Sequence, residues 1–373
     1  MGRFFFNIDV LGSCNLRCPS CPVGNSKDVK LPTGFMDPAL LAAVVKKARS
    51  ECEVTGIALF NWTEPILHPK LPELIRIVES NGIHCYLSSN LNLMRNIDAI
   101  LAENPYAFRI SVSGFTQDTY GYSHRGGNVE VVKKHMVELA EARKRQHSTT
   151  RIDVLYHRYR HNLKDEPLMR EYATGLGLGF EGVWAFMMPL EKILAHVNDD
   201  PTEATLTAED HELIGNLALP LKEALRAAEK HKDAACSLRD AQITMDFEGN
   251  VQLCCSTYDS RKFTLGKYLT SSLDQLQQQK YAHDMCGRCM SRGAHVYGTY
   301  GAPEFDAIAA RTVGADNARL LRLRSERVRK RLRLGLQTVY RHTLAKCLSP
   351  AQSARLDSGY QRLEHLLTRG PRS

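Results

Sequence analysis

Between residue 4 and about residue 186 the chain alternates six short runs rich in β-branched and aromatic residues with longer runs of helical periodicity. No other feature restricts the fold as tightly. The strand candidates are Phe4–Val10, Thr55–Phe60, Ile83–Leu87, Phe108–Val112, Ile152–Tyr156 and Phe180–Phe186, with helices expected near 37–52, 69–81, 95–103, 128–146 and 163–175. Strands that regain one direction after each helix build a parallel sheet, which either winds openly or closes part-way into a barrel. The open form has phosphate-binding signatures that are missing here, since no G-x-G-x-x-G follows strand 1 and no P-loop occurs. A cysteine cluster follows strand 1 instead, in the kind of loop that builds the active site of a parallel barrel.

Eleven cysteines are spread over 373 residues. An odd count in a long chain whose first residues lack a secretory signal argues for thiolates with metal or redox roles in a reducing, cytoplasmic setting, and against a secreted disulfide framework. No apolar run reaches the roughly 18 to 20 residues that span a bilayer.

Cys14, Cys18 and Cys21 stand in Gly12-Ser13-Cys14-Asn15-Leu16-Arg17-Cys18-Pro19-Ser20-Cys21. Three thiolates this close in one loop each reach a different iron of a four-iron, four-sulfur (4Fe-4S) cube, and the fourth iron stays open to a ligand. The alternative is a zinc knuckle, which needs a fourth Cys or His nearby. The next candidates, Cys52 and His68, stand at no zinc-ribbon spacing.

With this loop the chain resembles the radical S-adenosylmethionine (SAM) superfamily. The resemblance implies that the open iron binds SAM, and that reductive cleavage yields a 5′-deoxyadenosyl radical that takes hydrogen from substrate. It extends to the other strand ends. Asn61-Trp62-Thr63-Glu64-Pro65-Ile66-Leu67-His68-Pro69 is similar to the family's Gly-Gly-Glu-Pro segment, with Trp62 and Thr63 in place of both glycines and Glu64 kept. An acid before proline is also a helix cap. Ser88-Ser89-Asn90 is similar to the family's Ser-Thr-Asn-Gly, which adds Ser88 and Asn90 as SAM contacts. Ser111 and Arg125, the latter ahead of Gly126-Gly127, become candidates for the SAM ribose and carboxylate, since a guanidinium fork donates two parallel hydrogen bonds. On the last strands Tyr156-His157-Arg158 and Trp184-Ala185-Phe186 face the same mouth. Trp184 is a candidate for holding adenine, with core packing the commoner role of such a residue.

A second set follows a helical connector. Cys236, Gly249, Cys254 and then Cys286-Gly287-Arg288-Cys289 resemble the start of the SPASM and twitch domains that follow many radical SAM barrels. No further cysteine continues the series at Met290-Ser291-Arg292, so the resemblance is to the shorter twitch form with one auxiliary 4Fe-4S cluster on Cys236, Cys254, Cys286 and Cys289. Gly249-Asn250 supplies the tight turn between two alternating apolar runs. A four-cysteine zinc ribbon has the same hairpin. Cys255 is a spare thiol: an alternative ligand, a catalytic hydrogen-atom donor of the kind related epimerases use, or a small buried apolar residue.

These readings give an α/β chain with a partial (β/α)6 TIM-like barrel over 1–190, a helical connector over 191–235, a twitch-like iron-sulfur domain over 236–300 and a basic amphipathic helical tail over 301–373. Residues 311–373 hold 15 Lys and Arg against 4 Asp and Glu, a local +11, so residues 1–310 carry −3 of the chain's +8. Any contact with an anionic partner or membrane surface is thereby limited to the tail. The expected activity is oxidoreductase-type hydrogen abstraction from an unactivated carbon, with an electron donor such as flavodoxin or ferredoxin. The barrel motif starting at residue 14 tilts the substrate towards a sugar-like or other small metabolite. Peptide modification and epimerisation are the alternatives within this chemistry. A zinc-binding interaction protein that contacts RNA or a membrane through its tail is the alternative outside it.

Overall fold

A computed structural model describes residues 1–317 apart from 28, 30, 31, 199–203 and 316. The expected tail beyond 317, with Cys347, lies outside the described residues. Met1–Val313 is one compact unit. It is a mixed α/β structure on a large parallel sheet.

The six expected strands form as β1 (Arg3–Ile8), β2 (Glu53–Ala58), β3 (Cys85–Ser89), β4 (Ala107–Val112), β5 (Arg151–Arg158) and β6 (Gly179–Trp184). All pair in parallel with their sequence neighbours. Along β1, β3, β4 and β5 alternate residues are buried, as with Phe6 and Ile8, Phe108, Ile110 and Val112, and Ile152, Val154 and Tyr156. Many of the residues between them are polar. Ser88, Arg109 and Asp153 lie in one row across β3, β4 and β5, and Ser111, Leu155 and Glu181 in the next row across β4, β5 and β6. A parallel sheet covered by helices on both faces is apolar throughout, so this alternation marks a face left for something other than packing.

The helices between strands begin where the sequence supplies caps. The Asp37 side chain accepts the amide of Ala39 at the start of Pro38–Glu51, which buries Leu41, Val44, Val45 and Ala48. Asn128 caps Val129–Arg145 in the same way, and Arg143, Lys144 and Arg145 end that helix where its dipole favours cations. A helix at Gln117–Ser123 was not foreseen by the sequence.

Beyond the connector helices Leu190–Asn198, Ala208–Asn216 and Leu221–Glu229, three further strands appear: β7 (Gln242–Met245), β8 (Asn250–Gln252) and β9 (Thr264–Lys267). Among the described residues the strands form one nine-stranded sheet, in the order β6-β5-β4-β3-β2-β1-β7-β8-β9. The regions expected as 1–190 and 236–300 share this sheet. β7 pairs in parallel with β1, from Phe5 with Gln242 to Ile8 with Met245, so the second cysteine region extends the same sheet. The β7–β8 turn forms as the residues suggest. Gly249 adopts φ +78°, and Asp246 Oδ1 accepts the amides of Glu248 and Asn250.

Candidate functional site

The loop after β1 carries Cys14, Cys18 and Cys21 and ends in a single helical turn, Pro22–Asn25. Backbone contacts fix its path: Cys21 N donates to Cys18 O (3.1 Å) and Gly24 N to Cys21 O (2.9 Å). A Cβ on Gly24 would stand 2.2 Å from the Cys18 carbonyl oxygen, so only glycine allows this close return. The three thiols lie near enough to act on one another electrostatically. Burial is the main force on each, raising Cys14 to about 11, Cys21 to about 12, and Cys18 upward as well. Three half-buried thiols this close together release their protons when a cation binds them.

The neighbouring strand ends close round this loop. After β2, the Asp9 carboxylate accepts the amides of Asn61 (2.8 Å), Trp62 (3.0 Å) and Thr63 (3.0 Å), together with the Thr63 hydroxyl (2.6 Å). The Cys21 thiol lies 3.8 Å from Trp62 O, and Glu64 N donates to Ser13 O. Glu64 Oε1 accepts the amide of Ile66 and Oε2 that of Asn90, so its carboxylate caps one turn and ties β2 to β3, while burial raises its pKa to about 7. Asn90 Nδ2 reaches Asn15 Oδ1 (2.9 Å) and faces the Cys14 sulfur (3.8 Å). Ser88 and Ser111 face each other at 3.3 Å.

The other candidates lie farther out. The backbone carbonyl of Arg125 accepts Arg17 N (3.0 Å), while its guanidinium pairs with Glu209 at 3.2 Å. Trp184 is placed differently from the expected adenine contact. It is buried, the Arg158 guanidinium covers its ring at 5.1 Å, and its indole N–H donates to Asp306, so the ring packs inside the protein.

Cys236, Cys254, Cys286 and Cys289 line one cavity, with Met285 and His295 among its other walls. Cys286 and Cys289 share a face of the helix Asp284–Ser291, being three residues apart. Among the described residues, no three His, Cys, Asp or Glu side chains close on a point as ligands of a single ion do. A four-iron cube takes each thiolate on a different iron, so its ligands stand farther apart than those of one zinc, and the two thiol sets fit it in residue type and number. The Cys254 sulfur accepts the amide of Ser256 (3.5 Å), and the neighbouring Cys255 thiol, 3.9 Å from Ser256 Oγ, holds Cys254 below the usual thiol range.

The two thiol sets are joined by short segments. Asn25 donates to Met188 O (2.8 Å), Lys192 donates to Asn25 O (2.7 Å), and Leu190 N donates to Ser256 O (2.8 Å). Tyr258, four residues beyond Cys254, feels the charges of Cys21 and Asp9. Asp9, Asn25, Lys192 and Tyr258 had no motif to announce them. An acid at the end of an otherwise apolar first strand was the one signal Asp9 offered.

Residues 8–165 match the Radical SAM superfamily. The match takes in the first thiol set and β2 to β5. Two curated relatives align over part of their length. A 7,8-dihydro-6-hydroxymethylpterin dimethyltransferase of Methanocaldococcus jannaschii is 29% identical over 137 residues, 35% of this chain and 26% of that protein. A GTP 3′,8-cyclase of Chlorobaculum tepidum is 27% identical over 142 residues, 36% of this chain and 40% of that protein. The chain thus matches well under half of either relative. Among solved structures, Streptococcus suis SuiB bound to S-adenosylmethionine superposes with a TM-score of 0.52 at 13% identity, covering 78% of this chain and 68% of that one. At that identity the likeness is one of fold, and it covers more of the chain than residues 8–165.

Proposed function

We propose that this chain is a radical SAM enzyme in which Cys14, Cys18 and Cys21 hold a SAM-binding 4Fe-4S cluster and Cys236, Cys254, Cys286 and Cys289 hold an auxiliary one. β1 to β6 act as a partial (β/α)6 barrel, and the second thiol set as a twitch-like extension of it. The observation that carries this reading is the pair of thiol sets, three facing one another after β1 and four lining one cavity, tied together through Asn25, Lys192 and the segment Cys254–Asp259. When bound and reduced, the first cluster supplies the radical that removes a hydrogen atom from a carbon acid-base chemistry does not activate.

The chain's own residues prepare that step. Asp9 holds the Asn61–Thr63 backbone against the cysteine loop, Glu64 and Asn90 fix the β2 and β3 ends, and Ser88, Ser111 and Arg125 offer hydroxyl and guanidinium donors for SAM. The substrate meets the polar face of the sheet. Arg109, Asp153, His157 and Glu181 suit a hydroxylated or charged small molecule, which favours a sugar-like metabolite. SuiB has been solved with its precursor peptide SuiA, and the curated relatives carry the names of a methyltransferase and a cyclase, so peptide modification, methyl transfer and ring closure are the alternatives within the same chemistry. Cys255, next to Cys254 and 3.9 Å from Ser256 Oγ, is the candidate hydrogen donor if the product is an epimer. Flavodoxin or ferredoxin suits the electron supply, and the cytoplasm the need for a reducing setting.

Anaerobic reconstitution with iron and sulfide tests the reading. The expected protein is brown, absorbs broadly near ~400 nm and carries about eight irons per chain. A colourless protein that takes up zinc and no iron would contradict it.

A further inference from the structure

Lys280 is fully buried, on the helix Leu273–Ala282 beside the second thiol set. Its ammonium donates to the carbonyl of Gln242 on β7. Burial pushes its pKa down, and Cys254, Cys255, Cys286 and Cys236 lie near enough to oppose that shift when they carry charge. Among the described residues no carboxylate stands within ion-pair distance of it. Asp240, an acid it acts on electrostatically, is already held by Arg239 at 2.8 Å and by the Tyr281 hydroxyl at 2.8 Å. A buried ammonium without an anion is costly, and a methionine would fill a similar volume without that cost. The groups that can balance the charge are thiolates.

Resting on the reading of an auxiliary cluster, we propose that Lys280 is the counter-charge of the Cys236, Cys254, Cys286 and Cys289 site, and that it raises the reduction potential of the cluster held there. On taking up one electron, such a cluster gains one negative charge in a dry setting. A fixed cation beside it stabilises the reduced form more than the oxidised one. Arg239 does not serve the same purpose, because Asp240 neutralises it. Lys280 thus tunes the site without ligating iron, and makes the auxiliary cluster a readier acceptor of an electron from a substrate radical.

The test uses the full chain with Cys14, Cys18 and Cys21 replaced by alanine, so that only auxiliary iron remains, and follows its reduction by EPR-monitored titration against dithionite. Lys280→Met should lower the reduction equilibrium constant at least tenfold, about 59 mV for one electron. Lys280→Arg should restore it. If Lys280→Met sheds its iron while Lys280→Arg keeps it, both folding normally by circular dichroism, the counter-charge role is supported as well. A Lys280→Met protein that holds iron and titrates at the parent potential overturns the proposal while leaving the auxiliary cluster standing. So does a folded Lys280→Arg protein that fails just as Lys280→Met does. A triple-alanine parent that binds no iron overturns the auxiliary cluster itself, and this proposal with it.

Discussion

Asp9 accepts the Thr63 hydroxyl at 2.6 Å and the Thr63 amide at 3.0 Å, so one carboxylate at the end of β1 holds the loop that ends β2. Trp62 and Thr63 occupy this loop, and its backbone is shaped by that acceptor. Asparagine has one acceptor oxygen, and its amide group would face the Trp62 N–H that Asp9 Oδ2 accepts at 3.1 Å. Asp9→Asn should therefore cost about 1.5–3 kcal/mol in urea unfolding. It should also weaken SAM binding by about tenfold in equilibrium dialysis under anaerobic conditions. Unchanged SAM affinity would separate Asp9 from the site.

The Lys192 ammonium bridges Asn25 O at 2.7 Å and the Asp210 carboxylate at 2.8 and 2.9 Å, with both side chains almost wholly buried. Removing one partner strands the other charge in the interior. Asp210→Ala should destabilise the chain by about 3–5 kcal/mol, measured by denaturant unfolding of the iron-free protein. Iron retention at the first thiol set should fall with it, because Asn25 anchors that loop.

How much of this was legible in the sequence depends on the range of the interaction. β1 to β6 could be read because each follows from a local apolar run, and the Gly249-Asn250 turn because positive φ needs glycine. The cysteines could be read because thiolate spacing is itself a chemical pattern. The pairing of β7 with β1 could not be read, since it joins Phe5 to Gln242 across a gap of more than two hundred residues. Lys280 and Asp9 were hidden for a related reason. A lysine or aspartate declares nothing until burial sets its neighbours, and only the fold shows Trp184 buried under Arg158 with its indole N–H on Asp306.

Cysteine substitutions should divide the iron cleanly. Cys14→Ala should halve the iron to about four per chain and abolish cleavage of SAM, while Cys286→Ala should lose a similar amount of iron and still cleave it. Iron analysis beside a product assay checks both. Equal loss of cleavage in the two variants would show that the sites do not act separately.

His124 is buried against Ser113, and burial, then the nearby His157, pushes its pKa down to about 3. In the unfolded chain a histidine titrates near about 6.5. Below that pH the unfolded state takes a proton that the folded state refuses, so this contribution to stability is complete above about 6.5 and is lost as pH falls towards 3. Against the parent, His124→Gln should lose stability less steeply between about pH 6.5 and 4.5, by up to about 1.4 kcal/mol per pH unit. Unfolding at several pH values measures the slope. Parallel curves would mean that His124 takes up its proton in the folded state too.

The most direct test is the release of 5′-deoxyadenosine. The full chain, reconstituted anaerobically, reduced with dithionite and given SAM, should form 5′-deoxyadenosine detectable by mass spectrometry. The Cys14→Ala, Cys18→Ala and Cys21→Ala proteins should form none. An iron-loaded chain that leaves SAM intact, or one that cleaves it equally well without those thiols, would contradict the assignment of the loop after β1 as the catalytic centre.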